Sequence, residues 1–513
     1  MRKLVIARRA AQVLFFSLFV YVLWSTTYPL KGQMAPQLLF KLDPLIMFVT
    51  AVSQKVILPG LIWAVGMTAL TLLLGRFFCG WVCPMGTIID WVGAAGRKLR
   101  RPILAERQRL ALSVPKFVIL GLVLILAFVG IQAAWVFDPI VTVARVVSLD
   151  IIPAVTVTLD RFLQFCIQRF GLYDSFYDFY RYLKEGLLGV NVHFFANSLI
   201  TLLWFLAVSG GALLILRLWC RMLCPLGAWY AMNARPAWLQ RRADGCNSCG
   251  ACVRKCRMGA IKDGADYRKG ECILCMDCVY DCPQTVVSFT GSRKTLTCPE
   301  KERPVAGKGI TRGQFLLCLA ALVPSWGFRS KDLIALTSDA SAPVIRPPGA
   351  SPESRFVNTC VRCGNCMKVC ITNGLQPVML ESGWEGLWTP QLLPEVGYCE
   401  YNCTLCGEVC PTGAIPSLNV QDKHRASLGL AVIDRAVCLA WDGKKECLVC
   451  EEHCPVAEKA IINKAEIVDG RTILRPYVDT DRCIGCGICQ NKCPTRPMRA
   501  IRVDPGLRRK VRL

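Results

Sequence analysis

Residues 483–494 read Cys483-Ile-Gly-Cys486-Gly-Ile-Cys489-Gln-Asn-Lys-Cys493-Pro494. Three cysteines at x2 spacing, then a fourth after x3 and a proline, form one half of a ferredoxin cluster pair. The first three thiolates grip one iron–sulfide cubane and the fourth reaches to the neighbouring one. The same spacing recurs in Cys246-x2-Cys249-x2-Cys252-x3-Cys256, in Cys272-x2-Cys275-x2-Cys278-x3-Cys282-Pro283, and in Cys360, Cys363, Cys366 and Cys370. Two further runs stretch only the first gap: Cys399, Cys403, Cys406, Cys410-Pro411, and Cys438-x8-Cys447-x2-Cys450-x3-Cys454-Pro455. The six runs take 24 of the 31 cysteines and predict six [4Fe-4S] clusters. A chain with six one-electron centres reads as a wire.

Other uses of these cysteines fit poorly. Disulfide frameworks belong to small secreted scaffolds, not to a chain of 513 residues with long apolar segments. Zinc sites use paired Cys-x2-Cys knuckles and need neither the third cysteine nor the x3 gap.

Around the cysteines, composition divides the chain into a membrane half and a soluble half. Hydrophobic residues make up 53% and the mean hydropathy is +0.38, too apolar for an ordinary soluble protein. Crossing a bilayer takes about 20 apolar residues. Stretches of that length lie near 11–30, 57–78, 115–136 and 196–219, and a shorter apolar run extends from Phe315 to Phe328. The net charge is +24, of which residues 336–513 supply only about +3. The excess flanks the spans: Arg2, Lys3, Arg8 and Arg9 before the first, Arg97 to Arg109 after the second, Arg241 and Arg242 after the fourth. By the positive-inside rule these regions are cytoplasmic, and the connections 31–56 and 137–195 face outward. Spans flanked in this way account for the charge without nucleic acid.

The second and fourth spans end in a repeat. Arg76-Phe-Phe-Cys79-x3-Cys83-Pro84-Met-Gly86 is echoed by Arg217-Leu-Trp-Cys220-x3-Cys224-Pro225-Leu-Gly227. Cysteines at i and i+4 share a helix face, and the proline is expected to end the helix. Repeats in membrane proteins often hold a site between their halves. Cys79, Cys83, Cys220 and Cys224 are therefore candidates for a further metal centre, for redox thiols, or for packing.

These motifs carry a family resemblance. Residues 1–290 resemble the membrane iron–sulfur subunit (NapH-type) of the quinol dehydrogenases that serve periplasmic nitrate reductase. The resemblance rests on the Cys79 and Cys220 motifs, four spans and a following two-cluster segment. Related membrane ferredoxins of nitrous-oxide-reductase maturation and copper reduction share this half. Residues 311–513 resemble its partner, a Tat-exported four-cluster polyferredoxin (NapG-type), through Arg346-Pro-Pro-Gly349, Cys399-Glu-Tyr-Asn-Cys403, Cys447-Leu-Val-Cys450 and Cys483-Ile-Gly-Cys486. The two subunits look fused. The segment Thr311-Arg312-Gly313-Gln314-Phe315-Leu316 lacks the second arginine of a Tat signal, so the short apolar run is read as an export helix, a fifth span or a buried linker. The resemblance also implies the fourth ligands. Cys493 would complete the cluster of Cys360, and Cys370 that of Cys483. Cys454 would complete the second motif and Cys410 the third, while Cys282 and Cys256 would be exchanged within the cytoplasmic segment.

Absences narrow the mechanism. His193, His424 and His453 are the only histidines, so no transmembrane b-haem forms within the chain. No Cys-x2-Cys-His motif for c-type haem and no nucleotide or flavin fingerprint occurs. For quinol, the candidates are Asp43 in Leu42-Asp43-Pro44-Leu45, Asp138 in Phe137-Asp138-Pro139-Ile140, and His193. Quinol oxidation needs a proton acceptor, and ionisable groups at membrane depth are functional candidates. Asp-Pro pairs are also ordinary turns or helix caps. By the charge-derived topology these residues lie outside and the Cys79 and Cys220 motifs inside.

The expected architecture is an α-helical membrane anchor of four or five transmembrane helices carrying two α+β ferredoxin-like [4Fe-4S] domains. Residues 1–240 would be the anchor, 241–297 a cytoplasmic two-cluster domain, 298–352 a linker with the short apolar helix, and 353–513 a four-cluster domain in the periplasm. The resemblance implies a multi-pass protein of a bacterial-type inner membrane, N-terminus inside. It would oxidise quinol and feed a periplasmic cytochrome or reductase, alone or with other subunits of a membrane redox complex. An accessory factor reducing a metal or thiols for another enzyme, and a donor fed by cytosolic ferredoxin, are the alternatives.

Overall fold

The computed structural model describes residues 2–30, 35–58, 60–96, 113–171, 173, 175–184, 188, 193–195, 198–263, 266–291, 344–443, 445–468 and 471–507. The apolar run at 315–328, the segment 311–316, Cys298 and Cys318 lie outside the described residues. Two compact units form, neither continuous in sequence. Met1–Tyr21, Leu38–Val143 and Leu202–Thr337 contribute to the first, and Val22–Gln37, Ala144–Thr201 and Ser338–Leu513 to the second.

The helices differ in length from the expected spans. Among the described residues, two helices are long and apolar enough to cross a membrane, Lys3–Ser25 and Pro139–Phe170. Three more apolar helices, Leu61–Leu74, Pro115–Phe128 and Leu199–Leu214, have 14, 14 and 16 residues. Each is followed closely by a residue with positive φ, namely Gly75 (82°), Gly130 (97°) and Arg217 (56°), which an α-helix cannot continue through. Helix Pro139–Phe170 lies in the expected outward connection. Its N-terminal part is apolar enough to stand beside Lys3–Ser25, while Asp160, Arg161 and Arg169 make its C-terminal part polar. A π turn at Val147–Ile151 interrupts it.

In the first unit two local designs are each used twice. Asp43 caps helix Pro44–Gln54, its Oδ1 accepting from Leu45 N (2.9 Å) and Ile46 N (3.2 Å). Asp138 does the same for helix Pro139–Val146, accepting from Ile140 N and Val141 N, both at 2.9 Å. Proline at the first helical position loses no hydrogen bond, and the aspartate satisfies the free amides. Pro84 and Pro225 likewise start helices Pro84–Ala95 and Pro225–Asn233 instead of only ending the preceding ones. Cys79 and Cys220 therefore sit in the short helices Phe78–Trp81 and Leu218–Met222, while Cys83 and Cys224 are caps of the next.

Residues 240–290 add a small α+β body to this unit. Strand Gln240–Ala243 pairs antiparallel with Val287–Thr290, and Ile261–Asp263 with Asp266–Tyr267. Helices Ala251–Lys255 and Asp277–Tyr280 lie within the two cysteine runs. The body sits tightly against the cysteine repeat: a Cβ on Gly80 would lie 2.1 Å from the Ile273 carbonyl oxygen. Trp81 Nε1 donates to Leu274 O at 2.9 Å.

The second unit is built on four short helices, one in each cysteine run: Asn365–Lys368, Leu405–Glu408, Val449–Glu452 and Ile488–Lys492. Strand Leu430–Ile433 pairs antiparallel with Ile501–Asp504, which brings the third run beside the fourth. A hairpin of Ile461–Val468 and Arg471–Val478 projects from the same end. Residues 22–30 and 144–201 pack into this unit. Lys368 Nζ donates to the carbonyls of Leu23, Trp24 and Thr26, filling acceptors that the end of helix Arg2–Ser25 leaves open. Arg145 Nε donates to Arg362 O at 2.8 Å, and its guanidinium lies 4.2 Å above the Trp388 ring. Gly364, at φ +86°, approaches Leu149 in the π turn, where an added Cβ would be 3.2 Å from Cγ.

Candidate metal centres

Four cavities of the second unit are each lined by four cysteines. Cys360, Cys363 and Cys366 share a cavity of about 360 Å³ with Cys410. Cys399, Cys403 and Cys406 share one of about 410 Å³ with Cys370. Cys438, Cys447 and Cys450 share one of about 380 Å³ with Cys493, and Cys483, Cys486 and Cys489 one of about 330 Å³ with Cys454. Fourth cysteines are thus exchanged between consecutive motifs, first with second and third with fourth. This corrects the nested pairing that gave Cys493 to Cys360, Cys370 to Cys483, Cys454 to the second motif and Cys410 to the third. The x3 gap carries each fourth cysteine one helical turn beyond its third, and the packing of helix Asn365–Lys368 beside Leu405–Glu408 and of Val449–Glu452 beside Ile488–Lys492 decides which cavity it enters.

The donor sets suit clusters larger than one ion. Among the described residues no three Cys, His, Asp or Glu side chains converge on a single metal ion. The linings are otherwise largely apolar, with Pro347, Leu375, Leu392, Val409 and Ile415 among them. Burial pushes the Cys486 and Cys450 thiols to about 12, with neighbouring cysteines adding to it. Burial likewise pushes Cys399 to about 11 against the opposing effect of Lys423. Without a cation these groups stay protonated at neutral pH, whereas a bound metal deprotonates them. Amide N–H groups already point at sulfur, Ala431 N to Cys483 Sγ at 3.4 Å and Ile415 N to Cys410 Sγ at 3.5 Å.

In the first unit, a small core of Ala243, Cys252, Ile261, Cys278, Val279 and Val287 includes two of the eight cysteines of residues 246–282, and Cys246, Cys256 and Cys282 pack against it. Burial first, with Cys256 among the further contributors, raises Cys272 to about 12 and Cys278 to about 11. Cys256 also acts on Cys275, so it faces all three thiols of the second run. Arg241 Nη2 lies 3.5 Å from Cys252 Sγ.

Cys79, Cys83, Cys220 and Cys224 come together as one buried group whose charges act on one another. Arg76 Nε donates to Cys79 Sγ (3.3 Å) and its Nη2 crosses to Cys220 O (3.2 Å). Arg217 Nη1 makes the reciprocal crossing to Cys79 O (2.8 Å). Gly227 N donates to Cys224 Sγ at 3.1 Å. Arg217 is neutralised by Asp90 (2.7 Å), which also receives Arg8 (3.2 Å) and Arg257 (3.1 Å). Against the effect of burial, Arg217 and Arg257 hold Asp90 well below the usual carboxylate range. In the second copy Ala231 stands where Asp90 stands in the first, and Arg76 instead takes Glu271 of the ferredoxin body at 3.2 Å.

The quinol candidates divide. Asp43 and Asp138 are both fully buried, each spending one carboxyl oxygen on the amides of the helix it caps. His193 belongs to the second unit, its Nε2 2.9 Å from Cys370 O. Tyr230 was not legible as a site residue. Its hydroxyl is buried with no hydrogen-bond partner among the described residues, and charges on Asp43, Cys79, Cys83 and Asp138 all reach it. The aspartates therefore do not lie a bilayer away from the cysteine repeat. As caps of buried helices they turn back into the unit.

Comparison with known proteins agrees with these sites. A family model described as "4Fe-4S binding domain" matches residues 56–102 and 198–243, and a second of the same description matches 476–499. The ferredoxin-type protein MauM of methylamine utilization from Methylorubrum extorquens is 37% identical over 172 residues, 33% of this chain and 76% of the relative. The ferredoxin-type protein NapG of Escherichia coli is 35% identical over 162 residues, 31% of this chain and 69% of the relative. Protein NirI of Paracoccus denitrificans is 29% identical over 250 residues, 47% of this chain and 28% of the relative. No solved structure matches. With iron–sulfur models at both ends and relatives covered over most of their length, the chain belongs to the family of ferredoxin-type 4Fe-4S proteins that includes MauM and NapG.

Proposed function

We propose that the chain is a membrane-bound electron conduit that oxidises quinol and passes electrons singly to a periplasmic cytochrome or reductase. The observation that carries this reading is the continuous order of the four cysteine cavities. Cys366 and Cys370, with Cys406 and Cys410, join the first cavity to the second through one helical turn each. Cys399 N donates to Cys486 O at 2.9 Å, which joins the second to the fourth. Cys450 and Cys454, with Cys489 and Cys493, join the fourth to the third. The path is thus Cys360, Cys399, Cys483, Cys438 sites in succession, not chain order.

Each cavity would hold one [4Fe-4S] cluster on its four cysteines. The ferredoxin body would hold two more, on Cys246, Cys249, Cys252 with Cys282 and on Cys272, Cys275, Cys278 with Cys256. A bound cluster supplies a one-electron couple. The apolar linings exclude water, and the N–H groups aimed at Cys483, Cys410 and Cys256 stabilise sulfur charge, which tunes the potential.

The membrane reading rests on Lys3–Ser25, supported by shorter apolar helices such as Leu61–Leu74, Pro115–Phe128 and Leu199–Leu214. Residues 144–195 fall in a connection that the positive-inside rule assigns to the outer face, and residues 22–30 form the outer end of the first expected span. They pack with the C-terminal cavities in one unit, which favours a periplasmic four-cluster domain. The body at 240–290 packs with Arg8, Arg76 and Trp81, at helix ends that the rule assigns to the cytoplasm.

The test is an anaerobic titration of the purified chain with a menaquinol analogue, followed by EPR. Reduction blocked by a quinone-site inhibitor supports the proposal. Clusters silent to quinol but reduced by a low-potential ferredoxin would overturn it in favour of a cytosolic donor or an accessory reductase.

A further inference from the structure

The path through the four cysteine cavities has one junction between pairs, where Cys399 N donates to Cys486 O at 2.9 Å. The two sites that meet there are built alike, from three cysteines of one run and the fourth of its neighbour. They differ in charge. Lys423, 1% exposed, lies on helix Val420–Arg425, and its Nζ donates to the carbonyls of Glu400 and of Cys403 (2.6 Å to the latter). Its ammonium is thus pinned to the loop that joins Cys399 to Cys403. Among the described residues no carboxylate pairs with it. The carboxylate of Glu400 accepts from Tyr401 N at 3.1 Å, and that of Glu408 from Thr404 Oγ1 at 2.9 Å.

This seat is held from both ends of its short helix. Asn419 Oδ1 accepts from Asp422 N at 2.7 Å and starts the helix. The His424 ring stacks on Tyr401 with centroids 3.7 Å apart and 13° between planes, and its Nε2 lies 3.2 Å from Tyr401 O. Two successive side chains, Lys423 and His424, therefore grip the same ligand loop.

Across the junction the neighbouring cation is neutralised and wet. Arg482, next to Cys483, is 42% exposed and pairs with Glu458 (3.0 Å) and Asp479 (3.2 Å). Beside its cysteines the Cys483 cavity is lined by apolar groups such as Ala431, Val456, Ile461 and Val503. No Lys or Arg among the described residues of 430–503 is fully buried. Adding an electron adds one negative charge at either site. A cation in a dry interior acts on that charge far more strongly than one screened by water and carboxylates. Net charge and solvent exposure around the sulfurs are what set the potential of such a centre.

We propose that Lys423 gives the junction its direction: it holds the reduction potential of the Cys399 centre above that of the Cys483 centre. This rests on the conduit reading above and supplies its sense, from the Cys438 end toward the Cys360 end at this step. One electron leaves the Cys483 centre, which is oxidised, and reduces the Cys399 centre. No proton and no further reactant takes part.

The experiment is an anaerobic redox titration of the full chain with chemical mediators in place of quinol, followed by EPR. Cys403→Ser and Cys486→Ser identify the signals of the two centres. In the wild type the signal sensitive to Cys403→Ser is expected to appear at the higher potential. In Lys423→Met its reduction equilibrium should fall about tenfold, a shift of about 59 mV for a one-electron couple, while Lys423→Arg should keep most of the wild-type value. The wild-type order needs no lysine variant to fold. A Cys483 centre that is reduced first would overturn the proposal, as would no shift in Lys423→Met or equal shifts in Lys423→Met and Lys423→Arg. The expected order in a chain that quinol never reduces would support the proposal and overturn only the quinol reading.

Discussion

Arg76 donates across to the carbonyl of Cys220 at 3.2 Å, and the same distance separates its guanidinium from Glu271. One side chain therefore ties the first cysteine turn to the second and both to the ferredoxin body. Arg217 makes the reciprocal crossing and is neutralised by Asp90 at 2.7 Å. Breaking a buried pair by removing one partner leaves an uncompensated charge and commonly costs about 3–5 kcal/mol.

Arg217→Met should therefore lower the thermal midpoint of the detergent-solubilised protein strongly. Asp90→Asn should do so at least as much, because Arg8 and Arg257 also lose their carboxylate. Asp90 is held below its unfolded value, so its contribution is complete above that value and declines only as pH falls beneath it. The stability gap between wild type and Asp90→Asn should be flat between about pH 6 and 8. A gap that opens with rising pH across that range would contradict the assignment.

Changing Cys79, Cys83, Cys220 and Cys224 together to serine tests whether the group binds metal. Iron analysis is expected to show a loss relative to wild type, with the signals of the ferredoxin-type clusters retained. Unchanged iron and unchanged quinol-driven reduction would leave the four thiols to packing.

The consecutive exchange of fourth cysteines gives a prediction on pairs of mutations. Cys370→Ser with Cys399→Ser should damage one cluster, because both residues line one cavity. Cys370→Ser with Cys483→Ser should damage two. Quantitative EPR of the reduced variants separates these outcomes, and the nested pairing would reverse them.

Gly80→Ala places a methyl group 2.1 Å from a backbone oxygen of Ile273, which cannot rotate away. The ferredoxin body should shift off the cysteine repeat, at a cost of about 1–3 kcal/mol or more. Hydrogen exchange across residues 240–290 should rise, while exchange in residues 353–507 stays as in wild type.

Much of the chemistry was legible because a cluster needs closely spaced thiolates. The six cysteine runs, the Asp-Pro pairs and the repeated Arg-x2-Cys-x3-Cys-Pro turn are all visible in the chain. Which cysteine completes which site was not. Cys370 ends the first run of the second unit, and only the packing of helix Asn365–Lys368 beside Leu405–Glu408 selects the cavity of Cys399 over that of Cys483. Helix Pro139–Phe170 is apolar enough to be found by composition, but where it packs was not legible: Arg145 is buried by stacking on Trp388 and bonding to Arg362, more than 200 positions away.

By itself the sequence determined the ligand type, the cluster count it predicts and the duplication of the first half, because spacing along a chain fixes what one helical turn can present to a metal. Tertiary structure alone decided that Arg76 and Arg217 cross between the two cysteine turns, that Asp90 gathers Arg217, Arg8 and Arg257, and that the cavities follow one another as they do. These contacts join residues tens to hundreds of positions apart, and only the packing of the interlocked repeats brings such groups within hydrogen-bonding reach.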